Sequence, residues 1–385
     1  MRKVKWGMGL AAAAVTLAAA LFFGWPLLAE VTRHNGHLFL ANTDPNDPQI
    51  LVTVEYMTVD QLLDPRTMDI AKRNHIWIAP CVRANALDEN LDRLAKAYKQ
   101  AGIGIVYWPL LPREQCLYLN TKHIDDYLAH LDKMYAWADK YGNSIDAIIV
   151  DIEPENCQKG TDAGPQAADP DAGLGIGAAI NAMDKKRFMA SIEGFQRVLK
   201  KLHEHNTVAI STAMDYAATD IQNNRTVFQD LSGGPSMLVD WDMVTYMNFG
   251  SQNTKFLHDA LKSLHLDWTI KDTRYLSYLM CRLIARKYGN RAAISLGQTI
   301  PGEGHGAVWT DPADLGRDAA VCKYAGIVHF GIYDFQGIVE SPNPDAWIAA
   351  VRDAKPTKPE YSAKAVTLWN VVNGLYWYGE LKRSF

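Results

Sequence analysis

The chain has 385 residues, of which 48% are hydrophobic and 21% are charged, and its formal net charge is −4. This composition is ordinary for a globular protein, and the length suits either one large barrel-type domain or two smaller domains. No basic run occurs beyond the N-terminus, so the sequence argues against a nucleic-acid partner.

The N-terminus carries the pattern of an export signal. Arg2, Lys3 and Lys5 precede an uncharged apolar stretch, residues 6–29. This stretch exceeds the usual signal-peptide core of about 7–15 residues and is long enough to span a bilayer as a helix. We expect residues 1–29 to form a signal peptide or, in preference, an uncleaved anchor, followed by a polar linker at 30–47. The positive flank predicts that the rest of the chain is exported, to the periplasm or the cell exterior, with membrane anchoring through residues 6–29.

Strand-like and helical stretches then alternate along the chain. The strand-like runs are Gln49–Met57, His75–Val82, Gly102–Leu111, Ser144–Glu155, Thr207–Tyr216, Asp240–Phe249, Ala292–Ile300 and Gly326–Phe335. Amphipathic stretches between them are Glu89–Gln100, Thr121–Tyr141, Lys185–His205, Thr273–Tyr288 and Pro312–Tyr324. Eight such units are typical of an α/β fold, the (β/α)₈ TIM barrel, and fit it better than an open doubly wound sheet. We therefore predict a catalytic barrel over residues 48–355 and a C-terminal tail, 356–385, packed on it.

Five cysteines accompany this pattern. Cys81, Cys116 and Cys157 each follow a predicted strand, whereas Cys281 and Cys322 fall in predicted helices of neighbouring units. In an oxidising compartment an odd number leaves one thiol unpaired, and the connectivity cannot be deduced from sequence. Between the fourth strand and the next helix, the long loop at 156–184 is rich in Gly, Ala, Asp and Pro, and we expect it to act as a lid.

The fourth strand-like run ends in carboxylates. Its apolar, β-branched residues indicate a strand buried on both faces, and Asp151 and Glu153 follow at its end. Side chains two apart share a face of a strand, so these two acids point the same way, about 7 Å apart. Pro154 ends the ladder. Because parallel-sheet enzymes keep their chemistry at the carboxyl ends of strands, we favour a catalytic pair over two buried acids satisfied by Arg or backbone donors.

This strand resembles the signature of glycoside hydrolase family 18, the chitinase-like barrels, which reads D-G-x-D-x-D-x-E. Asp146, Asp151 and Glu153 match the first Asp, the last Asp and the Glu, whereas Ala147 replaces the Gly and Ile149 the middle Asp. The resemblance implies a TIM-barrel glycosidase and marks this chain as a divergent member.

Two further strands bear on the resemblance. Val-Thr-Tyr-Met on the sixth strand is similar to the family's M-T-Y-D, with Tyr246 in place and Met247 at the Asp position. Tyr333 lies where the family usually has a Trp at the end of the eighth strand. The third-strand S-x-G-G is absent and is replaced by residues 106–109, Val-Tyr-Trp-Pro.

The acid pair predicts glycosidic cleavage. Glu153, outermost on the strand, is expected to be the general acid, with its pKa raised by a neighbouring carboxylate, and Asp151 the charged group that stabilises the developing positive charge. The resemblance implies that the substrate's acetamido group is the nucleophile, oriented by Asp151 and bonded by Tyr246. Ile149 stands where the family has a third carboxylate, so a sugar without an N-acetyl group is an alternative substrate. Cleavage of such a sugar would need an acid from another strand as the nucleophile, and Asp215 and Glu55 are the candidates.

Other polar and aromatic residues near predicted strand ends are candidates for binding the sugar. They are Trp108, Asp215, Asn248, Gln298, Tyr333 and Glu55. The aromatic residues could equally well pack in the core. The two amides, Asn248 and Gln298, could equally well cap loops. We expect a carbohydrate substrate and no cofactor.

Two rival functions remain open at this point. One is a non-catalytic, carbohydrate-binding chitinase-like barrel. The other is a metal-dependent hydrolase in which Asp151, Glu153 and Glu155 hold a hard cation such as Ca²⁺.

Overall fold

A computed structural model describes residues 49–112, 115, 117–154, 183–262, 265–300 and 307–383. The predicted export segment, Glu155 and nearly all of the predicted lid lie outside these residues. The described chain forms eight parallel strands, whose bounds are β1 Ile50–Val54, β2 Trp77–Arg83, β3 Trp108–Leu110, β4 Ala147–Ile152, β5 Val208–Met214, β6 Met243–Asn248, β7 Ala292–Gly297 and β8 His329–Tyr333.

The strands form a barrel, which only a few backbone contacts close between β3 and β4. Hydrogen-bonded neighbours follow the order β3-β2-β1-β8-β7-β6-β5-β4. Between β4 and β3 the contact reduces to single bridges, Tyr107 with Ile148 and Leu119 with Ile152. The Tyr107 N–H donates to the Ala147 carbonyl at 3.0 Å, and the Ile149 N–H donates to the Tyr107 carbonyl at 2.9 Å. The predicted eight-unit α/β barrel is confirmed.

Helices cover the outside of the barrel. Their bounds are α1 Val59–Leu62, α2 Pro65–Arg73, α3 Glu89–Ala101, α4 Ile124–Tyr141, α5 Lys185–Glu204, α6 Val227–Leu231, α7 Gly250–Lys262, α8 Ile270–Tyr288, α9 Pro312–Tyr324, α10 Phe335–Glu340, α11 Pro344–Arg352 and α12 Ala363–Lys382. Local sequence signals set their ends. The Asp88 side chain caps α3 by accepting from the N–H groups of Asn90 and Leu91, and Gly102 ends that helix in a left-handed conformation.

Alternate residues of each strand belong to two separate apolar layers. The inner layer fills the barrel and includes Leu51, Ala79, Trp108, Ile149 and Tyr333. The outer layer lies between strands and helices and includes residues of the opposite parity, among them Val52, Ile148 and Val150 on the strands. This alternation follows from the two-residue period of a strand, and it decides which polar side chains reach the barrel interior.

The C-terminal helix α12 packs against α6 and α8. Arg383, just after the helix, donates to the carbonyl and side-chain oxygens of Thr226 at 2.9 and 2.7 Å. Arg225 lies over the ring of Tyr376, 3.4 Å from its centre. Within the described residues, no helix combines the length and apolar character that a bilayer span requires.

Candidate active site

The two acids of β4 lie at the carboxyl end of the barrel interior. All six residues of β4 are buried, because the barrel covers one face and helices cover the other. Ala147 and Ile149 belong to the inner layer, so Asp151, two residues further, faces inward as well. Glu153 follows directly after the strand and is half-buried.

Asp151 is held by one strong donor. Its Oδ2 accepts a hydrogen bond from the indole Nε1–H of Trp108 at 3.1 Å, across the β3–β4 seam. Its Oδ1 is buried and has no hydrogen-bond partner in the part of the chain that the structure describes. Burial raises the pKa of Asp151 to about 8, the Trp108 bond opposes that rise, and the charge of Glu55 adds to it.

The pKa of Glu153 is raised as well. Burial raises its pKa well above the usual range, and the nearby charges of Asp151 and Glu55 raise it further. Sequence reasoning predicts that coupling raises one pKa and lowers the other. In the structure the pKa of Asp151 also rises, because desolvation outweighs the effect of its one indole donor.

Glu55 brings a third carboxylate to this end of the barrel. It follows β1, and its Oε2 accepts a hydrogen bond from the hydroxyl of Tyr333 at 2.6 Å. The backbone N–H of Glu55 donates to Asp334 Oδ2 at 2.8 Å. Asp334 is fully buried, and burial raises its pKa to about 7. The ends of β1 and β8 are therefore tied together beside the β4 acids.

Replacing Trp108 by Phe is expected to raise the pKa of Asp151 further. The change removes the only donor to that carboxylate among the described residues, and a hydrogen bond to the charged form of an acid lowers its pKa. If catalysis needs ionised Asp151, the acid limb of the pH–rate profile should move up by about one pH unit. The matched control is Trp241→Phe, because the Trp241 indole is equally buried but has no hydrogen-bond partner within the described chain. An acid limb that moved equally in both variants would contradict this prediction.

Backbone contacts fix the position of Glu153. The Leu119 N–H donates to the Asp151 carbonyl at 3.0 Å. On the other side, Gly233 packs so closely that a Cβ atom there would lie 2.2 Å from the Glu153 carbonyl oxygen. Gly233 also has a φ of +94°, a conformation that side chains disfavour. Only glycine fits this position.

Gly233→Ala is therefore expected to lower the free energy of unfolding by about 2 kcal/mol or more and to displace Glu153. Gly142→Ala is the matched control, because Gly142 has a φ of +70° but open space where its Cβ would lie. That variant should lose only about 1 kcal/mol, from backbone strain alone. Chemical denaturation of both variants measures the difference, and equal losses would show that the contact with Glu153 does not matter.

Two more predicted site residues lie at strand ends without a described contact to the β4 acids. Asp215 follows β5, is half-buried, and accepts a hydrogen bond from Asn253 Nδ2 at 2.7 Å. Burial raises its pKa to about 6. Gln298 follows β7, and its side-chain Oε1 is buried and unpartnered within the described ranges.

The structure does not bring Tyr246 and Asn248 to the acids. Both lie on the face of β6 that meets α8. The Tyr246 hydroxyl lies 3.4 Å from that of Tyr288, and Asn248 Oδ1 accepts from the Ser277 hydroxyl at 2.9 Å. Met243 belongs to the inner layer, so the residues of β6 that face inward are those of odd number.

Sequence reasoning missed three residues near the acids. Asp334 is buried beside Glu55, and Cys81 and Arg83 end β2 with the parity of the inner-layer residue Ala79. Burial raises the pKa of the Cys81 thiol to about 12, while the charge of Arg83 opposes that rise. Arg83 Nη1 is buried without a hydrogen-bond partner in the described chain. For Cys81 and Arg83 the signal is the two-residue period of β2, which places every second residue from Trp77 to Arg83 on the face that lines the barrel interior.

Among the described residues, no group of three or more His, Cys, Asp or Glu side chains has an arrangement that would hold a metal ion. Glu155, which the metal-dependent alternative requires, lies outside those residues. Glu55, Asp151 and Glu153 instead lie at the same end of the barrel, Asp151 buried and both glutamates half-buried, and desolvation raises the pKa of Asp151 and of Glu153. Such a cluster suits proton transfer.

No family model matches this chain, and no curated protein matches it. Among solved structures, it is similar to the PgaB (BpsB) glycoside hydrolase domain from Bordetella bronchiseptica, at 15% identity and a TM-score of 0.48, over 81% of this chain and 100% of that one. It is also similar to a putative fructose-1,6-biphosphate aldolase from Coccidioides immitis, at 9% identity and a TM-score of 0.39, over 89% and 96%. A third is tryptophan synthase from M. tuberculosis, at 11% identity and a TM-score of 0.36, over 84% and 97%.

Proposed function

We propose that this protein is an exported glycoside hydrolase that cleaves glycosidic bonds in a polysaccharide or glycan. The observation that carries the proposal is the position of Asp151, buried, and Glu153, half-buried, together at the carboxyl end of β4, where desolvation raises the pKa of each carboxyl group. A carboxylic acid that remains protonated near neutral pH is the group that protonation of a glycosidic oxygen requires.

Glu153 is the general acid in this proposal. It lies outermost, and burial together with the charges of Asp151 and Glu55 raises its pKa well above the usual range, which favours Glu153 as the acid that holds the proton. Asp151, held by the Trp108 indole, supplies the negative charge that stabilises the oxocarbenium-like transition state.

Glu55 is the best candidate for the third acid, which acts as nucleophile or as base towards water. Its charge raises the pKa of both Asp151 and Glu153, which supports assigning the three carboxylates to one site. Tyr333 fixes its orientation through the 2.6 Å hydrogen bond. Asp215, the other candidate, is tied to Asn253 and is not among the causes of either shift.

The resemblance to glycoside hydrolase family 18 supports the roles of Asp151 and Glu153 but not that of Tyr246. A substrate-assisted route needs a donor to the acetamido oxygen, and Tyr246 contacts α8 instead. We therefore propose a route that does not depend on an N-acetyl group and assigns Tyr246 no part in it.

A panel of chromogenic glycosides and bacterial cell-wall glycans tests this proposal, with wild type and Glu153→Gln measured side by side in the presence and absence of a chelator. If the protein is a glycosidase, the wild type should turn over members of the panel. Chelator should leave this turnover intact, and Glu153→Gln should abolish it. A non-catalytic, sugar-binding barrel would bind members of the panel without turnover. A metal-dependent hydrolase would lose its turnover to the chelator, and either of these results would overturn the proposal.

A further inference from the structure

Two buried cysteines meet on the outside of the barrel, away from the proposed site. Cys281 lies on α8 and Cys322 on α9, helices that pack side by side. The exposed fractions of the two residues are 0% and 1%. Their Sγ atoms are 3.5 Å apart, and both residues are thiols in this structure.

From this contact we propose that Cys281 and Cys322 form a disulfide that joins α8 to α9. The sulfurs of a disulfide are about 2.05 Å apart, so about 1.5 Å separates the observed contact from a bond. Each sulfur is enclosed by the packed helices, which keeps other thiols away once the barrel has folded. Within the described residues Cys81 is the other cysteine, and it lies on β2.

The oxidation requires a partner disulfide, such as oxidised glutathione or a thiol oxidase protein. One cysteine thiolate attacks a sulfur of that disulfide and releases a thiol, which leaves a mixed disulfide on the chain. The second cysteine thiolate then attacks the chain sulfur and releases the other thiol. Two cysteine thiols have lost two protons and two electrons, and the oxidant has become two thiols.

The bond must form before α8 and α9 finish packing. Both sulfurs are enclosed in the folded protein, so an oxidant cannot reach them, and the hydrogen bond to Cys281 together with burial raises the pKa of Cys322 well above its usual range. Oxidation after folding should therefore be slow, whereas oxidation during folding should be efficient.

The disulfide would clamp one complete unit of the barrel. The segment between the two cysteines contains β7 and Gln298, which follows it. A cross-link between residues 41 positions apart reduces the conformational entropy of the unfolded chain. For a domain of this size the expected gain in Tm is about 5 °C.

Peptide mapping tests the proposal directly. Wild-type protein is refolded with a mixture of oxidised and reduced glutathione, denatured, alkylated and digested without reductant. We expect a cross-linked peptide pair containing Cys281 and Cys322 that disappears when reductant is added before alkylation. Alkylation of both residues in the refolded protein, or a cross-link from either one to Cys81, Cys116 or Cys157, would overturn the proposal.

Stability provides a second measurement that does not depend on mapping. Reduction should lower the Tm of the wild-type protein by about 5 °C and should leave the Tm of Cys322→Ala unchanged. Cys81→Ala is the matched control and should keep the wild-type response to reductant. If Cys322→Ala does not fold, Cys281→Ala provides the same comparison. A Tm that responds to reductant equally with and without the pair would contradict the proposed bond.

Discussion

Replacing Glu153 by Gln is expected to lower kcat by about 10²–10⁴-fold and to leave sugar binding nearly unchanged. The amide has almost the size of the acid and can still bond a sugar hydroxyl, but it cannot deliver a proton to the leaving oxygen. The loss should depend on the leaving group. An aryl glycoside whose phenol leaves readily needs little protonation, so it should be cleaved with a smaller loss than a natural glycan.

This dependence separates a general acid from a residue that only supports the fold. Kinetics on a series of aryl glycosides of different leaving-group pKa, together with calorimetric binding of an oligosaccharide, measures both effects. Glu193→Gln is the matched control, because Glu193 is exposed on α5. If Glu153→Gln lost the same factor on every leaving group, or lost binding along with turnover, its role as proton donor would be wrong.

The acid pair is the part of the site that could be predicted best from the sequence. The run Ala-Ile-Ile-Val is apolar on both faces, which is typical of a parallel strand covered on both sides, and β4 is buried throughout. The two-residue period then places Asp151 and Glu153 together without further information. The same reasoning identifies Trp108 as an inner-layer residue once β3 is recognised.

The sixth strand shows where such reasoning fails. Its residues Met-Val-Thr-Tyr-Met-Asn are suited to either face, so composition does not set the phase. The register with β5 and β7 and the contact with Tyr288 decide it, and these depend on residues far away in the sequence. A one-residue shift of phase exchanges every side chain between the two faces.

The direction of the pKa shift of Asp151 could not be predicted from the sequence either. Neighbouring carboxylates predict that one pKa rises and the other falls, but that argument ignores how many donors each acid finds. Asp151 finds one indole, and its second oxygen has no partner among the described residues. Glu55 is far from both acids in the sequence but adds a third charge. Desolvation therefore raises both pKa values.

Replacing Asp151 by Asn tests this electrostatic picture through the pH dependence of kcat/KM. In the wild-type enzyme we expect a bell-shaped profile. Its acid limb should report the ionisation of Asp151, whose pKa burial raises to about 8, and its alkaline limb should report the deprotonation of Glu153, whose pKa burial raises as well. Both limbs therefore report ionisations of one interacting pair of carboxyl groups.

Asp151→Asn should change both limbs as well as lowering kcat by about 10²–10⁴-fold. The acid limb should vanish, because no ionisation of residue 151 remains. The alkaline limb should move to lower pH, because the charge that disfavours deprotonation of Glu153 is gone, while the contributions from burial and Glu55 remain. Asp215→Asn is the control: its carboxylate is paired with Asn253 and is not among the causes of the Glu153 shift, so the alkaline limb should stay in place. An alkaline limb that stayed in place in Asp151→Asn as well would show that the two acids are not coupled, and the assignment of proton donor and stabilising carboxylate would then be wrong.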